Sequence, residues 1–156
     1  MDALTLDLPD LEATTRFGRR LGTLLFPGAV IGLIGPLGAG KTHLVRAVAE
    51  GLGIADSRAV SSPTFVLIQE YAARLPIYHF DAYRLRSEAE FFELGVQEYF
   101  EGEGVCLVEW ADKVGLQLPR ERMSITLMVT GETKRQATVS ASGERYKPVV
   151  REIASN

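Results

Sequence analysis

The chain has 156 residues, 46% of them hydrophobic and 24% charged, with a formal net charge of −3. This is the composition of one globular domain over 1–156, able to bury a core, with no membrane-bound element and no global basic field to hold a nucleic acid tightly by itself. The one cysteine, Cys106, excludes an intramolecular disulfide, and no apolar run reaches the 18 residues of a membrane-spanning helix. With no secretory leader read at its start, the expected compartment is the cytoplasm.

Leu4, Leu6 and Leu8 alternate with Thr5 and Asp7, which predicts a half-buried strand closed by Pro9. Asp10 is placed to cap a helix running to about Leu25. Its expected inner face carries Leu11, Thr14, Thr15, Gly18, Leu21, Leu24 and Leu25, and Pro27-Gly28 ends it. Val30-Ile31-Gly32-Leu33-Ile34 reads as a strand buried on both faces. It runs into Gly35-Pro36-Leu37-Gly38-Ala39-Gly40-Lys41-Thr42, which matches the phosphate-binding pattern G-x-x-x-x-G-K-[ST] without substitution. Beyond it Leu44, Val45, Val48, Ala49 and Leu52 recur at helical spacing, and Gly53 stands where a helix C′ glycine would. Strand, glycine-rich loop and helix therefore come in the order a P-loop needs. The glycines let the loop turn its N–H groups inward at a helix N-terminus, Lys41 adds a full charge for the β/γ-phosphates, and Thr42 offers a hydroxyl to Mg²⁺.

Residues 54–62 read as a loop. Ser62-Pro63-Thr64 then leads into a β-rich run over 65–71, and a second strand is expected over 77–81; the short connection predicts an antiparallel hairpin. Ser87, Glu88 and Glu90 start a helix with Phe91, Phe92 and Leu94 on its apolar face and Gly95 at its end. After the turn at Gly102-Glu103-Gly104, residues 105–110 read as a buried strand ending in a carboxylate. Two more strands are expected over 123–130 and 136–140, and residues after Ser142 carry little signal. The fold class is α/β, a mostly parallel P-loop NTPase-like sheet flanked by helices, with antiparallel strands at the edges.

A P-loop enzyme needs a carboxylate at a strand end to hold Mg²⁺ and to place the attacking oxygen. Glu109 closes one apolar run and Asp81 another, so these two are the catalytic candidates, with Thr42 and Glu109 as the metal ligands. Thr64 is either a reporter of the γ-phosphate or a threonine starting a strand. Arg84 and Arg86 either neutralise phosphate or lie on the surface, and Trp110 either stacks on a base or belongs to the core. His79 shares a strand face with Asp81, a pair too small to assign a metal site. His43 reads as structural, and the pairs Arg19-Arg20 and Lys134-Arg135 as solvated surface. The guanine-reading N-K-x-D pattern is missing, which favours ATP over GTP as the nucleotide.

Five blocks taken together carry a resemblance. They are residues 35–42, Ser62-Pro63-Thr64-Phe65, the stretch Tyr78-His79-Phe80-Asp81-Ala82-Tyr83-Arg84-Leu85, Glu93-Leu94-Gly95 and Leu107-Val108-Glu109-Trp110. In order and spacing the chain resembles the TsaE (YjeE) family over residues 9–119. The resemblance implies Mg²⁺-dependent ATP binding and slow hydrolysis in threonylcarbamoyl-adenosine modification of tRNA. It also implies TsaD and TsaB type proteins as partners. Carried over, Lys41 is the phosphate lysine, Thr42 the Mg²⁺ ligand, Asp81 and Glu109 the acidic pair, and Trp110 a neighbour of the nucleotide. Pro36 stands where the family usually has Asp, and Ala111-Asp112 where Pro-Glu is frequent. The competing readings are a small-molecule P-loop kinase, which would need an acceptor pocket and a lid, and a nucleotide-dependent adaptor without hydrolysis.

Overall fold

The computed structural model describes residues 2–61, 67–83 and 85–155. Its strands are β1 (Asp2–Leu8), β2 (Val30–Ile34), β3 (Ile68–Tyr71), β4 (Ile77–Asp81), β5 (Val105–Glu109), β6 (Arg122–Val129) and β7 (Arg135–Ser142). Its helices are α1 (Leu11–Leu24), α2 (Lys41–Gly51), α3 (Glu88–Phe92), α4 (Val96–Phe100) and α5 (Lys147–Ala154). Among the described residues the strands make one sheet in the order β1-β7-β6-β2-β5-β4-β3. The four central strands, β6, β2, β5 and β4, run parallel, and the outer pairs are antiparallel. The expected fold class is the one found.

Sequence pattern sets this arrangement. β5 is buried along its whole length and β2 nearly so, which suits strands covered on both faces. On one side α1, α2 and α5 cover Ile31, Leu33, Leu107, Ile125 and Val139. On the other, α3, α4 and the 3₁₀ segment Ala111–Gln117 cover Val30, Phe80, Cys106 and Val108. β6 instead alternates, with Met123, Ile125 and Leu127 buried and Ser124 and Thr126 less so, because only one of its faces is covered. Cys106 is fully buried, and burial pushes its thiol up to about 12, which makes it an inert core residue.

Asp10 caps α1 by accepting the Ala13 N–H at 2.8 Å. The face of α1 differs from expectation: Ala13, Phe17 and Gly22 join Thr14, Gly18 and Leu21 inside, while Leu11 is half exposed. Close packing on α2 selects small residues here over large apolar ones. A Cβ on Gly22 would stand 2.3 Å from the Val48 carbonyl oxygen, and one on Gly51 2.1 Å from that of Arg19. We therefore expect Gly51→Ala to destabilise the protein by about 1–2 kcal/mol. Overpacking costs roughly 1–3 kcal/mol and helix propensity returns at most about 1. Urea unfolding reads this as a lower midpoint at an unchanged slope.

Three further expectations are corrected. Gly95 does not end the helical region; it turns through φ 76° and starts α4, which buries Val96 and Phe100. The tail after Ser142 is not featureless, since α5 docks Val149, Val150 and Ile153 with Pro148 in its first turn. An eight-residue helix with three apolar positions gives a weak periodic signal, and its stability comes from docking. Strand β5 stops at Glu109, one residue earlier than expected, because Trp110 turns left-handed at φ 59°.

Candidate nucleotide-binding site

The P-loop leaves the carboxyl end of β2, and β5 and β4 end beside it. After β5 the chain crosses to the other side of β2, so the loop sits at the point where strand order reverses, where open α/β sheets bind ligands. A cleft of about 320 Å³ lies there, lined by Leu37, Gly38, Gly40, Lys41, Thr42, Asp81, Tyr83, Glu109 and Trp110. Of the other candidates, Gly35 and Pro36 lend their carbonyls to Lys41, and Ala39 is buried under the loop. Arg86 is exposed and does not line the cleft. Thr64 and Arg84 lie outside the described residues.

Gly40 is the residue before the first turn of α2. It adopts φ 100°, a conformation an L side chain rarely takes, and offers no side-chain cap. The helices α1 and α3 are capped by Asp10 and Ser87. Helix N-terminal N–H groups lack intrahelical acceptors, so an uncapped end of this kind presents donors and a positive dipole end to an anion.

Lys41 folds back over the loop. Its Nζ donates to the Gly35 and Pro36 carbonyls at 2.6 and 2.9 Å and lies 4.0 Å from the centre of the Trp110 ring. Burial lowers its pKa from the ordinary lysine range, against the opposing pull of Glu109, Asp81 and Asp112. Trp110 reaches this position through its left-handed backbone, an uncommon state for a large residue that costs about 1 kcal/mol or more. Tyr83 stacks on it at 4.8 Å.

Asp81 and Glu109 are paired in register on neighbouring parallel strands, so both carboxylates face the α2 N-terminus. Thr42 Oγ1 lies 3.0 Å from each carboxylate oxygen of Glu109. In donating its hydrogen there, the hydroxyl keeps its lone pairs for a cation. Asp81 Oδ1 accepts the Tyr83 N–H at 2.9 Å. Two carboxylates against one ammonium leave the pocket floor negative, which fits a divalent cation arriving with a phosphate chain. Among the described residues no group of three or more His, Cys, Asp or Glu side chains converges. Mg²⁺ needs only one or two protein ligands when phosphates supply others.

Two contributors were not assigned from the sequence. His79 is fully buried and its Nε2 lies 2.6 Å from Glu109 Oε2; its place two residues before Asp81 was the available signal. Arg135, read as surface, is half-buried and ties the β6–β7 hairpin to the P-loop through the Ala39 and Gly38 carbonyls at 3.0 and 3.3 Å. No local pattern marks a contact spanning 96 positions in sequence. Arg135→Ala is expected to weaken nucleotide affinity about fivefold, or about 1 kcal/mol, by loosening a preorganised loop. Isothermal calorimetry, with circular dichroism to show an unchanged fold, measures this.

Comparison with known proteins follows the same line. A family model for the threonylcarbamoyl adenosine biosynthesis protein TsaE matches residues 8–137, reaching past residue 119 through the β6–β7 turn. The tRNA threonylcarbamoyladenosine biosynthesis protein TsaE of Bacillus subtilis is 45% identical over 144 residues, covering 92% of this chain and 89% of its own. That of Treponema pallidum is 44% identical over 129 residues, covering 83% and 94%. The crystal structure of Bacillus subtilis YdiB superposes with a TM-score of 0.82 at 37% identity, over 99% of this chain and 95% of that one.

Proposed function

The chain belongs to the TsaE family of proteins of tRNA threonylcarbamoyladenosine biosynthesis, and from that premise we propose that it is a Mg²⁺-dependent ATPase whose nucleotide state switches a tRNA-modifying assembly. One observation carries the ATP reading: an uncapped helix N-terminus opens onto a cleft in which Thr42 is already bonded to the buried Glu109 carboxylate. In this reading the loop 35–42 cradles the phosphates, with Lys41 released from the Gly35 and Pro36 carbonyls to meet them. Thr42 and Glu109 would hold Mg²⁺, which when bound neutralises phosphate charge during transfer to water. Asp81 orients the attacking water, and Trp110 exchanges its Lys41 contact for the base.

The assembly would contain TsaD and TsaB type proteins, in the cytoplasm where tRNA is modified, with no tight contact between this chain and the nucleic acid itself. Among the described residues no helix is long and apolar enough to cross a membrane. A bound nucleotide acts on a partner only through surfaces that differ between its states. Leu37 and Tyr83 suit that role, since both are exposed and both line the cleft.

Association with the TsaD–TsaB pair is therefore expected to be at least tenfold tighter, about 1.4 kcal/mol, with a non-hydrolysable ATP analogue than with ADP. Calorimetry on the purified components measures it, and equal affinity in the ATP, ADP and empty states would remove the switch. ATP binding is read separately from the emission of Trp110, the chain's one tryptophan; a titration without response would remove the nucleotide reading.

A further inference from the structure

Glu109 is 2% exposed, and a buried carboxylate is tolerated only when donors surround it. Thr42 supplies one donor from the P-loop helix. The other comes from the opposite side, where His79 Nε2 stands 2.6 Å from Oε2. Carboxylate oxygens only accept, so Nε2 carries the hydrogen. The imidazole has no solvent exposure. Tyr71 on the neighbouring strand packs its ring 6.2 Å away, with its hydroxyl 3.4 Å from Nδ1. The contact thus fixes the plane of the carboxylate from below while Thr42 meets it from above.

We propose that His79 is a positioning residue of the nucleotide site, holding Glu109 so that its carboxylate takes the Thr42 hydrogen and turns the Thr42 lone pairs toward the cation. This rests on the nucleotide reading given above. Freed from His79, the carboxylate rotates about its last torsion and turns toward the Lys41 ammonium, whose charge it already attracts. Thr42 then loses the acceptor that orients it toward the cation. A histidine that merely filled core space would lower stability on replacement but leave the Mg²⁺ dependence of ATP binding unchanged.

The test uses two amides of opposite reach. Glutamine places its Nε2 donor about where the imidazole Nε2 lies, whereas the asparagine amide ends near the position of Nδ1 and falls short of Glu109. ATP is titrated against Trp110 emission in excess Mg²⁺ and again in chelator, and turnover is measured in parallel. His79→Asn is expected to lose at least tenfold of the affinity that Mg²⁺ adds, with turnover falling alongside and chelator affinity within twofold of wild type. His79→Gln stays within threefold throughout. Equal losses in both variants, or a full Mg²⁺ increment in His79→Asn, overturns the proposal.

Nitrogen NMR of the wild-type ring without nucleotide gives a check that depends on neither variant's folding. A hydrogen on Nε2 supports the proposal, and a ring with its hydrogen on Nδ1 alone overturns it even if ATP binds. Wild-type protein that shows the Nε2 hydrogen yet binds no ATP removes the nucleotide reading, and the positioning role with it, while the contact itself stands.

Discussion

Lys41→Met is expected to leave the empty protein at least as stable as wild type at neutral pH while removing its response to ATP. Burial holds the Lys41 pKa below the ordinary lysine range. The folded state therefore binds this proton less firmly than the unfolded chain does. Between the lowered value and the ordinary one the unfolded chain carries more proton, so wild-type stability rises with pH through that window. Below the lowered value the charge works against folding in full. Methionine keeps most of the length of the stem and removes the charge. With ATP at a hundred times its dissociation constant, wild type gains about 2.7 kcal/mol, or roughly 5–10 °C in Tm. Lys41→Met should gain none of it, because the loop's dipoles alone do not hold a phosphate chain tightly. Thermal melts with and without ATP at neutral pH, and urea midpoints up to alkaline pH, separate the two effects. A variant that melts well below wild type when empty would show that the bonds to Gly35, Pro36 and Trp110 outweigh the cost of the buried charge.

Glu109→Gln should lower ATP turnover at least 100-fold, about 2.7 kcal/mol on the barrier, while ATP affinity in chelator stays within about threefold. The amide has the carboxylate's shape but only one accepting atom. His79 Nε2 meets Oε2, whereas Thr42 reaches both oxygens, so in either orientation of the amide Thr42 faces an NH₂ group. An NH₂ at the Oε1 position competes for a Thr42 lone pair that the cation needs; one at the Oε2 position does the same and also sets two donors, the amide and His79, against each other. Asp81→Asn should act in the same direction by misplacing the attacking water. Single-turnover hydrolysis beside equilibrium titration distinguishes a lost step from lost binding. Turnover within twofold of wild type would take the catalytic role from the residue concerned.

The local elements were legible wherever one short segment carries both pattern and punctuation. Asp10 before an amphipathic run gave the start of α1, and Gly53 gave the end of α2, which turns there through φ 85°. The apolar run ending at Ile34 and the motif through Thr42 gave the strand, the loop and the uncapped helix that follow. The short connection before Ile77 gave the antiparallel edge, found between β3 and β4. These features depend on neighbours within about four residues, and the sequence alone was enough for them.

Tertiary structure decided whatever depends on contacts between distant segments. Glycines 18, 22 and 51 look like poor helix residues until α1 and α2 are seen to approach so closely that a Cβ on any of them would clash. Arg135 looks like surface until the β6–β7 hairpin brings it to the P-loop. His79 looks like a strand histidine until the parallel register of β4 and β5 sets it beneath Glu109. A side chain's role at such a place follows from which strand becomes its neighbour. That choice is made by burial of the whole sheet and leaves no mark on the residues nearby in sequence. The sequence by itself determined that a G-x-x-x-x-G-K-[ST] loop and two strand-end carboxylates exist; folding determined that Lys41, Thr42, Asp81, Glu109 and Trp110 share one cleft, with His79 beneath it.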